Sequence, residues 1–318
     1  IHNGCILCGG TGSGKSITGL AYYYIQNGGT VEPMTKMKNP KDLYIITTAK
    51  KRDSGEWLGD MSWFYLTPDD DSKIYDHKIV IDSWNNIKKY VDVKNSFFIF
   101  DEQRVVGYGT WTKSFLKIAK SNEWILLSAT PGDNYMDYMP VFIANGYYKN
   151  KSEFTAEHCV YSRFSKFPQI EKFIGTERLN RLRRRVLVDM PYQNPAVQHH
   201  EDVWWSYDRE AFKTLMRDWW DYEENEPIEN VSELCNKLRR ICYADESRAE
   251  ALKSIFQQHN KLIVFYNFDY ELEIIKNIDF GDDVVIAELN GHRHDPEPFG
   301  NSKWIYLVQY NAGSEAWN

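Results

Sequence analysis

The run GGTGSGKS, Gly9 to Ser16, constrains this chain more than any other stretch. It satisfies the pattern G-x-x-x-x-G-K-[ST], with the apolar run CILC, Cys5 to Cys8, before it and SITGLAYYYIQN after Lys15. A strand, a glycine loop and a helix in that order form an anion cradle: glycines let backbone N–H groups turn inward, and the helix start adds positive potential. Gly10, Thr11, Gly12, Ser13, Gly14, Lys15 and Ser16 are therefore the expected phosphate-binding residues, with Lys15 reaching the terminal phosphates and Ser16 holding magnesium.

Further apolar runs recur with helical patterns between them: Leu43 to Ile46, Ile79 to Ile81, Phe97 to Phe100 and Ile125 to Leu127. Such alternation predicts an α/β fold with a parallel sheet flanked by helices. One helix should follow Lys15 and stop at Gly28-Gly29, and another fits Thr112 to Lys120. From Asp208 the spacing becomes helical, through Phe212, Leu215, Met216 and Trp219, whose rings and chains should share a core face. Helical spacing returns from Val231 to Cys242, and Ser247 with Glu250 reads as a capping box. Strand-like runs resume at Leu262 to Tyr266, Val284 to Ile286 and Ile305 to Val308. The expected organisation is a first α/β domain over 1–195, a helical linker or insert over 196–257 and a partial second α/β domain over 258–318.

Composition narrows the class. A length of 318 residues with 42% hydrophobic content suffices for two compact cores. No apolar stretch is long enough to span a bilayer, and five cysteines suit a reducing compartment, so a cytoplasmic protein without a membrane partner is expected. Cys5 and Cys8 imitate C-x-x-C, but on a strand they face opposite sides. His292 and His294, like His199 and His200, lack zinc-ligand spacing. A net charge of −7 excludes a uniformly basic surface. Three local runs remain as a candidate basic track: Lys50-Lys51-Arg52, Arg181 to Arg185, and Lys237 to Arg240.

A second acidic element, Asp101-Glu102, directly follows the run Phe97 to Phe100. A carboxylate leaving a buried strand beside a phosphate loop can hold magnesium, and its neighbour can orient or deprotonate the attacking water. Asp101 is assigned to the metal and Glu102 to water, which makes Lys15, Asp101 and Glu102 the catalytic set. Thr47-Thr48-Ala49-Lys50, Asp82-Ser83-Trp84 and Ser128-Ala129-Thr130 likewise follow apolar runs. In a parallel sheet the segments leaving carboxyl ends of strands gather on one edge, where ligands bind.

In order, GTGSGKS, TTAKK, DSWNN, DEQR and SATP resemble motifs I, Ia, Ib, II and III of superfamily 2 helicases, particularly phage DExx proteins similar to Swi/Snf-type translocases. LIVFYNF, Leu262 to Phe268, resembles motif IV, and QYNAGSEAWN, Gln309 to Asn318, resembles motif V, so the likeness spans nearly the whole chain. The resemblance implies two RecA-like P-loop domains, with ATP and Mg2+ between them and nucleic acid across both. It places Thr48, Lys50, Ser83, Trp84 and Ser314 near nucleic acid, Ser128 and Thr130 in coupling, and Gly313 and Glu315 beside the nucleotide. It implies an ATP-dependent DNA helicase or double-strand translocase, with RNA as the other nucleic acid, acting in a bacterial host beside phage replication or recombination proteins.

Three departures qualify the likeness. Gln103-Arg104 replace the usual letters after Asp-Glu, Ala316 stands where relatives often have glycine, and no Q-x-x-G-R-x-x-R pattern follows. That last motif carries the arginine finger in superfamily 2, so the 318 residues are expected to bind ATP-magnesium yet turn it over poorly. The rival readings are a non-hydrolysing nucleic-acid clamp with a helicase fold and a small-molecule kinase; motifs III and V have no role in the kinase.

Overall fold

A computed structural model describes residues 1–68, 75–102, 105, 107–163, 167–191 and 199–313. The described residues divide into two compact units, one within residues 1–191 and one within residues 199–313.

In the first unit, β1 (Ile6–Cys8) leads into α1 (Lys15–Gln26), which ends at Asn27 before Gly28 turns left-handed at φ 84°. A small hairpin, β2 (Thr30–Val31) and β3 (Met34–Thr35), precedes β4 (Leu43–Thr47), α2 (Ala49–Asp53) and α3 (Glu56–Ser62). There follow β5 (Ile79–Ser83), a 3-10 segment Trp84–Tyr90, β6 (Phe97–Phe100), α4 (Thr110–Ala119), β7 (Glu123–Ser128) and α5 (Tyr135–Ala144). The unit closes with α6 (Lys151–His158), an antiparallel hairpin of β8 (Cys159–Tyr161) and β9 (Ile170–Phe173), α7 (Thr176–Val186) and β10 (Leu187–Asp189).

Six strands form one parallel sheet in the order β10-β1-β7-β6-β4-β5. Successive residues on a strand face opposite sides, and the core records this directly. Ile6, Tyr44, Ile46, Phe98, Phe100, Trp124 and Leu126 pack on one face with α4, α5 and α7. Leu7, Leu43, Ile45, Phe97, Ile99, Ile125 and Leu127 pack on the other with α1 and α3. Burial on both faces explains why these strands read as continuous apolar runs. Each fully buried Phe, Leu or Ile contributes about 1.5–3 kcal/mol of transfer free energy.

The second unit opens with α8 (Arg209–Asp218), the short pair β11 (Trp220–Asp221) and β12 (Glu226–Pro227), α9 (Val231–Tyr243) and α10 (Glu246–His259). It continues with β13 (Lys261–Tyr266), α11 (Asp269–Lys276), β14 (Val285–Leu289), β15 (Trp304–Gln309) and α12 (Tyr310–Gly313). A parallel sheet in the order β13-β15-β14 carries a core of Tyr266, Leu272, Ile275, Ile305 and Leu307 with Phe256 of α10. The fold is thus α/β with a parallel sheet in each unit.

Several expectations need correction. Trp219 is not a core residue: α8 ends at Asp218, so Trp219 becomes a left-handed C-cap at φ 50°, and it is exposed along with Met216. The cap of α10 is Asp245, whose carboxylate accepts from the Ser247 N–H, rather than a box of Ser247 and Glu250. The strand β10 and the hairpin β8-β9 have no counterpart in the apolar runs. All five cysteines are free thiols, with Cys5 buried and Cys8 half-buried. Among the described residues no helix is long and apolar enough to cross a membrane.

Candidate nucleotide site

The glycine loop joins β1 to α1 at the carboxyl edge of the six-stranded sheet. Gly12 and Gly14 both have left-handed backbones, φ 77° and 79°, which side-chain-bearing residues adopt only at a cost. The Gly9 N–H donates to the Ser128 carbonyl at 3.2 Å, so the loop is anchored to the end of β7. Lys15 folds back over its own loop, its Nζ donating to the carbonyls of Gly9 at 2.7 Å and Gly10 at 2.8 Å. Burial draws the Lys15 ammonium below the usual lysine value, while the fields of Glu102 and Asp101 pull it the other way. Ser16 is half-buried in the first turn of α1, and Gly10, Thr11, Gly12 and Gly14 are exposed beside half-buried Ser13.

Asp101 leaves β6 and is 1% exposed. Its backbone N–H donates to the Ile46 carbonyl at 2.8 Å, extending the pairing of β6 with β4. Its Oδ2 accepts from Thr47 Oγ1 at 2.9 Å and lies 2.9 Å from Lys51 Nζ. Thr48 explains why Lys51 arrives there: as N-cap of α2 its hydroxyl accepts from the Lys51 N–H, which sets Lys51 in the first turn. Burial opposes the Lys51 charge, but Asp101, by charge and hydrogen bond, and Glu102 prevail and hold its value above that of an ordinary lysine. Glu102 sits at φ 52°, a left-handed conformation rare for glutamate and concentrated at functional sites.

Beneath this edge, Trp84 is buried at 3% exposure, stacked on Phe100 with centroids 5.5 Å apart, and its Nε1 donates to the Asp101 carbonyl at 2.8 Å. Its ring is buried, and Trp84 is a floor for the acidic pair. Asp82 ties the region together. It accepts from the Ser83 N–H, from Asn86 and Tyr90, and from Arg52 of α2. Burial opposes ionisation of Asp82, but the bonds from Tyr90, Asn86 and Ser83 outweigh it and lower its value.

The sheet thus brings together Lys15, Asp101, Glu102 and the Ser128 backbone. Thr48 and Ser83 are buried nearby, Ser128 is buried with its hydroxyl accepting from the Thr130 N–H at 3.1 Å, and Lys50 and Thr130 are exposed. Gly313 belongs to α12 in the second unit. Ser314, Glu315 and Ala316, like Gln103 and Arg104, lie outside the described residues.

Sequence reasoning missed Thr47 and Lys51 as partners of Asp101. The signal was present in Thr47-Thr48 ahead of Lys50-Lys51, since a threonine cap puts the third following residue in the first turn. Part of each basic run is committed to internal partners. Lys51 pairs with Asp101, Arg52 with Asp53 and Asp82, Arg183 lies 5.0 Å from the Tyr138 ring centroid, Lys237 pairs with Asp221, and Arg239 with Glu271.

No family model matches the chain, and no curated protein matches it. Among solved structures it is similar to the SWI2/SNF2 ATPase core of Sulfolobus solfataricus in complex with dsDNA, at 14% identity over 96% of this chain and 74% of that one, with a TM-score of 0.47. It is also similar to the helicase domain of Hef from Pyrococcus furiosus, at 12% identity over 98% and 83% with a TM-score of 0.40. A third likeness is to T4 UvsW, at 14% identity, 98% of this chain, 55% of that one and a TM-score of 0.30.

Proposed function

We propose that this chain is the ATPase core of a nucleic-acid motor, a DNA helicase or double-strand translocase of superfamily 2 that couples ATP hydrolysis to movement on DNA. The observation that carries the reading is the glycine loop after β1, with Lys15 folded onto the Gly9 and Gly10 carbonyls, at the same carboxyl edge where Asp101 leaves β6, only β7 lying between the two strands. DNA as the track rests on the ordered motifs.

The donor set fits a small hard cation. The Ser16 hydroxyl and the Asp101 carboxylate are oxygen donors, and the Asp101 carboxylate already faces a cation in Lys51 at 2.9 Å. Magnesium held there supplies neutralisation of the charge on the terminal phosphate oxygens. The chain's own residues do the rest. The loop amides turn to the phosphates, Lys15 exchanges the carbonyls of Gly9 and Gly10 for phosphate oxygens, and Glu102 orients the attacking water or takes its proton. Thr47 fixes the rotamer of Asp101, and Trp84 fixes its backbone.

Binding of a fluorescent ATP analogue with magnesium, and steady-state hydrolysis with and without DNA, test this. Lys15→Ala should weaken analogue binding at least about tenfold, the loss of one charge-assisted contact. Glu102→Gln should bind like the wild type while losing on the order of 100-fold or more in hydrolysis. Unchanged binding in Lys15→Ala sinks the proposal. Nucleotide and DNA binding with no hydrolysis under any condition would favour the clamp.

A further inference from the structure

At the carboxyl edge of the first sheet one ammonium is aimed at one carboxylate oxygen. Lys51 Nζ lies 2.9 Å from Asp101 Oδ2, the same oxygen that accepts from Thr47 Oγ1 at 2.9 Å. Three contacts set that aim. Thr48 caps α2 by accepting from the Lys51 N–H, Arg52 of the same helix reaches Asp82 at 3.4 Å, and the ring centroid of Trp57 on α3 lies 5.5 Å from Lys51 Nζ.

A buried ion pair stabilises little on balance, because desolvation offsets most of the attraction. Stability alone therefore does not account for so specific an aim. The ammonium and a divalent cation are rivals for one acceptor, and with both side chains largely buried there is little water to screen them from each other. Magnesium gives up its hydration water reluctantly, so on its own it competes poorly with an ammonium held by its helix. Phosphate oxygens that arrive with the metal change the balance, because they share the charge of the dication and add negative charge at the glycine loop.

We propose that Lys51 is a positioning residue that makes loading of the cation site conditional on nucleotide: its ammonium keeps a free divalent cation off Asp101 and yields that oxygen only to a metal that comes with phosphates. Lys51 has an alternative partner when it yields. Asp60 stands on α3 with Trp57, where burial pushes its carboxyl up and the field of Lys51 draws it back. The inference rests on the reading of Asp101 as the metal carboxylate given above.

Binding of Mn2+ to the full chain without nucleotide, counted from the paramagnetic resonance of the free ion, tests this. Lys51→Met should bind Mn2+ about tenfold or more tightly than the wild type, since it leaves the carboxylate without a competing cation. Lys51→Arg, which keeps the charge, should show no such gain, and adding Asp101→Asn to Lys51→Met should abolish it. A merely structural Lys51 would alter the unfolding midpoint but not the Mn2+ affinity. Equal affinity in the wild type and folded Lys51→Met overturns the proposal, as does a gain that survives Asp101→Asn. Should Lys51→Met fail to fold, acetylation of the wild type by a water-soluble succinimide ester replaces it. Lys51, followed by mass spectrometry, should then label faster with ADP and magnesium than with ADP and a chelator, and equal rates overturn the proposal. The motor reading is tested apart: loss of analogue binding in Lys15→Ala upholds it even where Lys51→Met gains nothing, and unchanged binding there defeats it.

Discussion

At the scale of single residues, the pair Lys51–Asp101 decides most at the carboxyl edge of the first sheet. The side chains are 15% and 2% exposed, so the charges meet at 2.9 Å with little screening by water. Replacing Lys51 by Met leaves a buried carboxylate without its cation, and breaking such a pair typically costs about 3–5 kcal/mol. Chemical denaturation at neutral pH should show a loss of that size. The folded value of Lys51 is raised, so its contribution is fully present below the unfolded lysine value and fades as pH rises through the folded one. The gap between wild type and Lys51→Met should therefore narrow at strongly alkaline pH. A gap that is constant with pH would mean that the methionine acts through packing alone.

At the scale of elements, strands with two buried faces were legible because FFIF and LYII leave no polar position to confuse the period. The positions of the glycine loop and of Asp101-Glu102 at strand ends were legible for a related reason: each begins where such a run stops. The strand β10 was not legible, because its residues Leu187–Asp189 follow directly on α7, whose RLRRR run looks like a solvated basic face. The hairpin β8-β9 is exposed or half-buried and reads as neither period. Lys51 could not be recognised as a partner of Asp101 from composition, since only the cap at Thr48 turns it there. A cap of the same kind governs α5, where the Asn134 side chain accepts from the Met136 N–H at 2.8 Å and Asp137 accepts from the Asn134 N–H at 3.0 Å. Asn134→Ala should cost about 1 kcal/mol. That corresponds to a fall of about 2–4 °C in the unfolding midpoint of a domain this size, and scanning calorimetry would detect it. No shift would mean that Asp137 alone holds the helix start.

At the scale of the molecule, each unit has its own core. The first encloses two extensive aromatic and aliphatic clusters on the two faces of its sheet, and the second three smaller ones. Unequal cores predict two unfolding steps, with the second unit melting first. Leu307 is fully buried in that unit. Leu307→Ala should destabilise the earlier step by about 2–5 kcal/mol and leave the later one in place. A single transition displaced as a whole would contradict this.

The opposite facing of Phe97 and Phe98 across the first sheet has a geometric consequence for the chemistry. Inserting one residue into β6 would invert every following ring, carrying Phe100 into a compartment shaped for other side chains and swinging Asp101 away from Thr47 and Lys51. The position of the Asp101 carboxylate is therefore set by counting along a strand of four residues. Changes in chain length that spare the carboxylate are confined to the connections at the opposite rim.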